Sequence, residues 1–215
     1  METIVKTLIY IHAAFGGVGL LAGTANILIK KGGRHHRAIG KWFTVGMLTS
    51  SLLSLVIARM PGHLNDFLFC VGVFTTYMIL SGNRALGFRP GGRSHPAKWD
   101  WALSGFMLAV SFWMILQGAV NIVLLGKEGV LFVFFGVIGL ALSLGDIRNY
   151  KRFRQVPNLW IKAHIRRIVG AYIASVTAFI VAGLHWNGIF FWVAPALAGS
   201  FYISYWTRKV SAKRQ

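Results

Sequence analysis

Histidine is the residue type with the most chemistry to offer in this chain, and two of its seven histidines end a single apolar run. That run is Trp160 to His185, WIKAHIRRIVGAYIASVTAFIVAGLHW. On a helical period His164, Ile168, Ala171, Ser175, Ala178, Ala182 and His185 share one stripe of mostly small residues. The two histidines are 21 positions apart, which at 1.5 Å per residue is about 31 Å, close to the thickness of a bilayer's hydrocarbon core. A second stripe is His12, Gly16, Gly19, Gly23 and Asn26, and His35 and His36 follow the end of that run. His12 stands about two turns inside apolar sequence, where an ionisable side chain is costly and marks function.

Imidazole is an axial ligand of b-type haem, and a flat macrocycle can approach a ligand only where neighbouring side chains are small. The spacing therefore predicts haem ligation by His12 with His185, or by His36 (or His35) with His164, with Gly16 and Gly19 making room. His63 would join the outer set and His95 the inner one. Equally, small-residue stripes let two helices pack closely in lipid with no cofactor, their histidines serving polar networks. A third reading is zinc held by His36, Asp146 and His164, with Asp100 or His95 as a further ligand. Three ligands and an open position would activate water in a membrane-embedded hydrolase. Against it, no two histidines lie four apart on one helix, and adjacent His35 and His36 face different ways. Asp100, just before WALSGF, also reads as an N-cap, and Asp146, beside Arg148, as an ion-pair partner.

The elements that must position these residues are membrane helices. With 55% hydrophobic and only 13% charged residues, the 215-residue chain is not an ordinary soluble domain. Seven apolar spans are predicted, at 4–29, 42–58, 64–81, 101–125, 129–144, 165–185 and 188–205, as one all-α seven-transmembrane bundle forming a single domain over 1–215. The first is too long for a signal-peptide core and lacks a basic n-region, so it is expected to be retained. The longest connection, Gly82 to Asp100, contains Pro90, Gly91, Gly92 and Pro96 and is expected to lack regular structure.

Twenty of the 23 basic residues fall between spans one and two, three and four, five and six (with Arg166 and Arg167 at the start of the sixth), or in the tail. Lys6, Arg59 and Lys127 remain for the other side. The positive-inside rule then puts the N-terminus outside and the C-terminus in the cytoplasm. The net charge of +18 is thereby assigned to topology and to anionic lipids at the cytoplasmic face rather than to nucleic acid.

Several classes drop out. Cys70 is the single cysteine, which excludes an internal disulfide and a cysteine-based metal cluster. The seventh span holds no lysine for a retinal Schiff base. Gln117, Asn121 and Asn26 are the mid-depth polar residues a transporter would use, and such residues commonly hydrogen-bond between helices, as do Thr49, Ser50, Ser51 and Ser54.

The segments IHAAFGGVGLLAGTANILIKKGGRHHRAIGKWF, YMILSGNRAL, GDIRNYKRF and HIRRIVGAYIASVTAFIV follow, in that order, a pattern that resembles an uncharacterised bacterial membrane-protein family of unknown function. The resemblance covers nearly the whole chain and implies a multi-pass protein of the bacterial inner membrane in which these segments form one site. More remotely the chain is similar to di-haem cytochromes of the b561 type, which implies haem and electron transfer; a membrane quinone is the expected electron partner. The chain departs from that type in the wide spacing of its two histidine pairs along the helix.

Overall fold

The computed structural model describes residues 2–125, 129–186 and 188–212. Lys127, Lys213 and Arg214, which entered the charge assignment above, lie outside the described residues. Among the described residues there are helices and turns and no strand. The long helices are α1 (Glu2–Leu28), α2 (Arg34–Ile57), α3 (Asp66–Ala85), α4 (Lys98–Leu125), α5 (Val130–Tyr150), α6 (Leu159–Ala178) and α7 (Ile189–Ala212). Among the described residues, seven helical segments of 21 to 27 residues are long and apolar enough to cross a membrane. Even the shortest is about 31 Å long at 1.5 Å per residue, enough to cross a bilayer. The chain is thus all-helical and has the helices of a multi-pass membrane protein.

Six of the helices extend past their apolar spans at the ends rich in Lys and Arg. α2 begins at Arg34 rather than Trp42, α3 runs to Ala85, α4 starts at Lys98, α5 ends at Tyr150, α6 starts at Leu159 and α7 continues to Ala212. A helix satisfies its own backbone on either side of the hydrocarbon boundary, and long basic side chains keep their charge in water while their stems cover the helix. Hydropathy therefore reports the hydrocarbon and not the helix. For the same reason the Gly82–Asp100 connection is mostly structured. α3 is followed by a 3₁₀ turn at Leu86–Phe88, and only residues 89–97 lie outside helices. That remainder is closed by Gly92 N donating to Arg89 O at 2.8 Å and Arg93 N to Gly87 O at 2.7 Å.

The other departure is the end of α6. The α-helix stops at Ala178 and continues as a π-helical turn, Phe179–Gly183. Leu184 N donates to Phe179 O at 2.9 Å and Trp186 N to Ile180 O at 3.2 Å. These wider turns break the 3.6-residue period. His185 comes after the helix has ended, exposed, with φ of 57°. It does not share the helical stripe of His164.

The chain divides into two compact units, Met1–Ile79 with Ile168–Tyr205, and Leu80–Arg167 with Trp206–Gln215. In the first, α1 and α2 pair along glycines. A Cβ added to Gly46 would lie 2.8 Å from Phe15 O and 2.9 Å from Gly19 N, so the two backbones meet there. Lipid offers little hydrophobic gain for helix association, and close van der Waals contact at small residues takes its place. Ring packing of Phe67 on Trp192 at 5.0 Å, edge to face, ties α3 to α7. In the second unit, α4 and α5 pair in the same way, since a Cβ on Gly118 would lie 2.8 Å from Gly129 O. Met107, Met114, Ser104 and Ser111 are fully buried in this unit. Phe88 stacks on Phe153 at 4.2 Å, with Ala85 and Ala163 beside them.

Gly46→Ala should therefore destabilise the protein by about 1–3 kcal/mol, because the new methyl meets backbone that cannot swing aside. Gly17, on the same hairpin, has nothing within 4 Å of an added Cβ. Gly17→Ala should be neutral or stabilising by up to about 1 kcal/mol, the ordinary gain for a helical glycine. Thermal unfolding in detergent reads both, and equal midpoints for the two variants would contradict the close crossing.

Candidate functional site

In the first unit, α1 places His12 against α2. The ring nitrogen Nδ1 lies 2.9 Å from Ser50 O and 3.0 Å from Ser50 Oγ, and Ser50 Oγ donates to His12 O at 3.1 Å. A carbonyl can only accept, so this contact puts a proton on Nδ1, and in the neutral ring Nε2 then keeps its lone pair. Nε2 has no hydrogen-bond partner among the described residues. A carbonyl behind Nδ1 is how ligating histidines are commonly oriented, so the donor itself fits a metal or haem iron.

The room around it does not fit. A Cβ on Gly16 would lie 3.0 Å from Ser50 Oγ, one on Gly19 would lie 2.7 Å from the Met47 side chain, and one on Gly23 would meet Tyr172 and, at 3.1 Å, Phe43. The glycine face expected to admit a macrocycle is occupied by side chains of α2 and by Tyr172 of α6. Thr24 Oγ1 and Tyr172 Oη share a hydrogen bond of 2.8 Å at the end of the same face.

The remaining histidines are engaged separately. With the Asn26 amide turned so that its oxygen accepts from Gly40 N at 2.9 Å, its nitrogen donates to His36 Nδ1 at 3.3 Å and to His36 O at 3.2 Å. This sets the opposite tautomer from that of His12 and ties the start of α2 to the end of α1. His164 Nδ1 lies 2.9 Å from Gly82 O in the second unit. His35, His63, His95 and His185 are exposed. Among the described residues no group of three or more His, Cys, Asp or Glu side chains is placed to hold a metal ion.

Asp146, one of the expected zinc ligands, faces Arg167 instead of Arg148. Nη2 donates to Oδ1 at 2.6 Å and Nε to Oδ2 at 3.2 Å, while Nη2 also donates to Leu142 O at 2.7 Å. Both side chains are nearly out of contact with solvent, at 5% and 7% exposure. Asp100 is buried too. It accepts from Arg84 Nε, from Arg93 Nη1 at 3.0 Å and from Ala97 N at 2.7 Å. The last contact makes Asp100 the reaching partner of a capping box, three residues past the cap, rather than the N-cap itself. Tyr150 Oη donates to Asp100 O at 2.8 Å and lies 2.6 Å from Ser104 Oγ. Arg93 Nη2 donates to Arg84 O at 2.7 Å.

Arg84, Arg93, Arg167, Ser104 and Tyr150 were not singled out from sequence. The available signal was scarcity. With five carboxylates against 23 basic residues, any acid on an apolar helix must be paired to remain ionised there. Gln117 and Asn121 also differ from expectation, since they bond to each other along α4 at 3.2 Å. Lys31 caps the other end of the problem. Its Nζ donates to Ile27 O at 2.6 Å and Ile29 O at 2.8 Å, closing the carbonyl end of α1, and burial lowers its pKa.

Asp146→Ala should cost about 3–5 kcal/mol, because it strands the Arg167 guanidinium in a buried place. Pairing Asp146→Leu with Arg167→Met should recover most of that loss, since apolar replacements of both partners remove the desolvation cost together. A double-mutant cycle of thermal unfolding midpoints checks this, and strictly additive losses would sink it. No protein-family model, curated protein or solved structure matches the chain.

Proposed function

We propose that this chain is a non-catalytic multi-pass protein of the bacterial inner membrane, with its N-terminus outside and its C-terminus in the cytoplasm, serving a structural or small-molecule-transport role. The observation that carries the reading is the filled glycine face. Gly16, Gly19 and Gly23 are spent on contact with Ser50, Met47, Phe43 and Tyr172, which is the use small residues have in lipid when helices pack on one another. His12 then acts as the polar tie between α1 and α2, and its bond to Ser50 is one that hydrocarbon cannot replace. Membership of the uncharacterised bacterial family that the sequence resembles is part of the same proposal.

A second reading keeps its own support. The Nδ1 contacts of His12 with Ser50 O and of His164 with Gly82 O orient both rings as ligands are oriented. In that reading His12 or His164 would hold b-type haem, which would supply one-electron transfer with a membrane quinone. The chain's own contribution would be the orientation of each imidazole by a backbone carbonyl.

Visible spectra decide between them. Protein purified from cells supplied with haem should show no Soret or α bands, whether oxidised or reduced with dithionite. Near-stoichiometric haem that disappears in His12→Ala or His164→Ala would overturn the first reading in favour of the second. Orientation is tested separately, by a reporter fused after Gln215. It should be active only in the cytoplasm, and activity confined to the outside would reverse the assignment.

A further inference from the structure

The four described carboxylates are all in ion pairs. Glu2 pairs with Lys6, Asp66 with Arg59, Asp100 with Arg84 and Arg93, and Asp146 with Arg167. Lys151 and Arg154, in the turn after α5, have no carboxylate partner among the described residues. They are not scattered surface charges, because both line one cleft of about 380 Å³ in the second unit, together with Ser94, His95, Trp101 and Tyr150. That volume lies within the range of roughly 300–1,000 Å³ found for small-molecule sites.

Both walls of the cleft are held. On one side, Phe153 sits between the two cations in sequence and is buried in its stack on Phe88. The turn around it is closed by Phe153 N on Asn149 O at 2.9 Å and Val156 N on Arg152 O at 2.9 Å. On the other side, the segment carrying Ser94 and His95 is pinned at both ends through Asp100, by Arg93 Nη1 and by Ala97 N. Trp101 packs edge to face on Tyr150 at 5.0 Å. The hydroxyl of Tyr150 is committed to Ser104 and the Asp100 carbonyl. The aromatic wall therefore offers carbon rather than a competing acceptor. Among the described residues no carboxylate lines the cleft.

Two cations with no carboxylate partner among the described residues, lining one cleft with two aromatic rings, a hydroxyl and an imidazole, suit an anion that carries an apolar part. We propose that this cleft binds a phosphate ester, with Lys151 and Arg154 as its charge partners, Ser94 and His95 on its far side, and Trp101 and Tyr150 against its carbon skeleton. Guanidinium and ammonium groups are the usual partners of phosphate oxygens, and aromatic rings near basic residues sit at the headgroup level of a bilayer. The site stands independently of both readings of the histidines. A membrane phosphodiester and a soluble phosphate ester share this chemistry.

The test uses the full chain in detergent micelles, titrated calorimetrically with short-chain phosphatidylglycerol, short-chain phosphatidylcholine and glycerol 3-phosphate. Saturable binding of phosphatidylglycerol is expected, weakened about tenfold or more in Lys151→Gln/Arg154→Gln. Arg34→Gln/Arg37→Gln removes the same charge from exposed positions of the first unit, and it should leave binding within about twofold of wild type. Preference for phosphatidylglycerol over glycerol 3-phosphate assigns the site to a lipid headgroup, and the reverse preference assigns it to a soluble ester. Equal weakening by the two double variants, or no saturable binding of either phosphate probe, would overturn the proposal. All four substituted side chains are exposed, so circular dichroism should be unchanged throughout.

Discussion

The crossing of α1 and α2 at Gly19 and Gly46 is the contact on which the rest of the first unit depends. Inside a bilayer the chain cannot stabilise itself by hiding apolar surface from water, because lipid tails are as apolar as leucine. What remains is dispersion between closely packed atoms and the few hydrogen bonds that hydrocarbon leaves unrivalled. Both become available only after the backbones approach. With Phe15 O and Gly19 N within about 3 Å of where a Gly46 Cβ would be, Ser50 is brought to His12, Met47 to Gly19 and Phe43 to Gly23. The hydrogen bonds of His12 are thus a consequence of the glycines, and the glycines explain why an imidazole can be tolerated at that depth.

The second unit answers a different demand with the same economy. Its acids lie on helices where an unpaired carboxylate would be prohibitively costly. Asp100 and Asp146 each recruit guanidinium groups from other segments, Arg84 and Arg93 in one case and Arg167 in the other. Arg93 and Arg167 also reach a backbone carbonyl or an aromatic face. Arg167 donates to Leu142 O and Arg93 lies over Phe88 at 4.8 Å. These contacts hold the 89–97 segment and the ends of α3, α4 and α5 as a built surface rather than as loose connections.

Much of the helix content was legible because hydropathy measures one physical quantity well, the cost of placing a segment in hydrocarbon. Seven spans follow from that quantity alone. It is silent about where a helix ends once it has left the hydrocarbon, so the basic ends of α2 to α7 were read short. It is silent, too, about the π turn at Phe179–Gly183, which no residue type demands and which carries His185 off the stripe of His164. The candidate site was legible in its residue types but not in its pairings. His12 and the serines of the second span were recognisable as polar residues in apolar helices, and Ser50 does bond between helices, as does Ser51 with Thr76 at 2.9 Å. Yet a stripe of glycines looks the same whether a cofactor or a neighbouring helix will cover it. Only the positions of Met47, Phe43 and Tyr172 distinguish the two. Likewise Arg167 lies 21 positions from Asp146, and sequence proximity favoured the wrong arginine, Arg148.

The imbalance of charge then acquires a structural meaning beyond topology. If acids and bases were both plentiful, basic residues at a helix end could be neutralised within the protein, and their placement would say little. Here the described acids are already paired, Glu2 with Lys6 and the three aspartates with arginines. Basic residues left over at the helix ends must find their counter-charge outside the chain, in solvent ions or in phosphate groups. For most of them, exposed and separated, mobile ions suffice. Where Lys151 and Arg154 line one cleft with an aromatic wall, the same requirement becomes directional, because a diffuse ion cannot contact Trp101 and Tyr150 as a ligand with a carbon skeleton can. The polar network that fixes Asp100 thereby shapes the neighbouring cleft. Structural ion pairing and anion recognition are two outcomes of a chain that carries few acids.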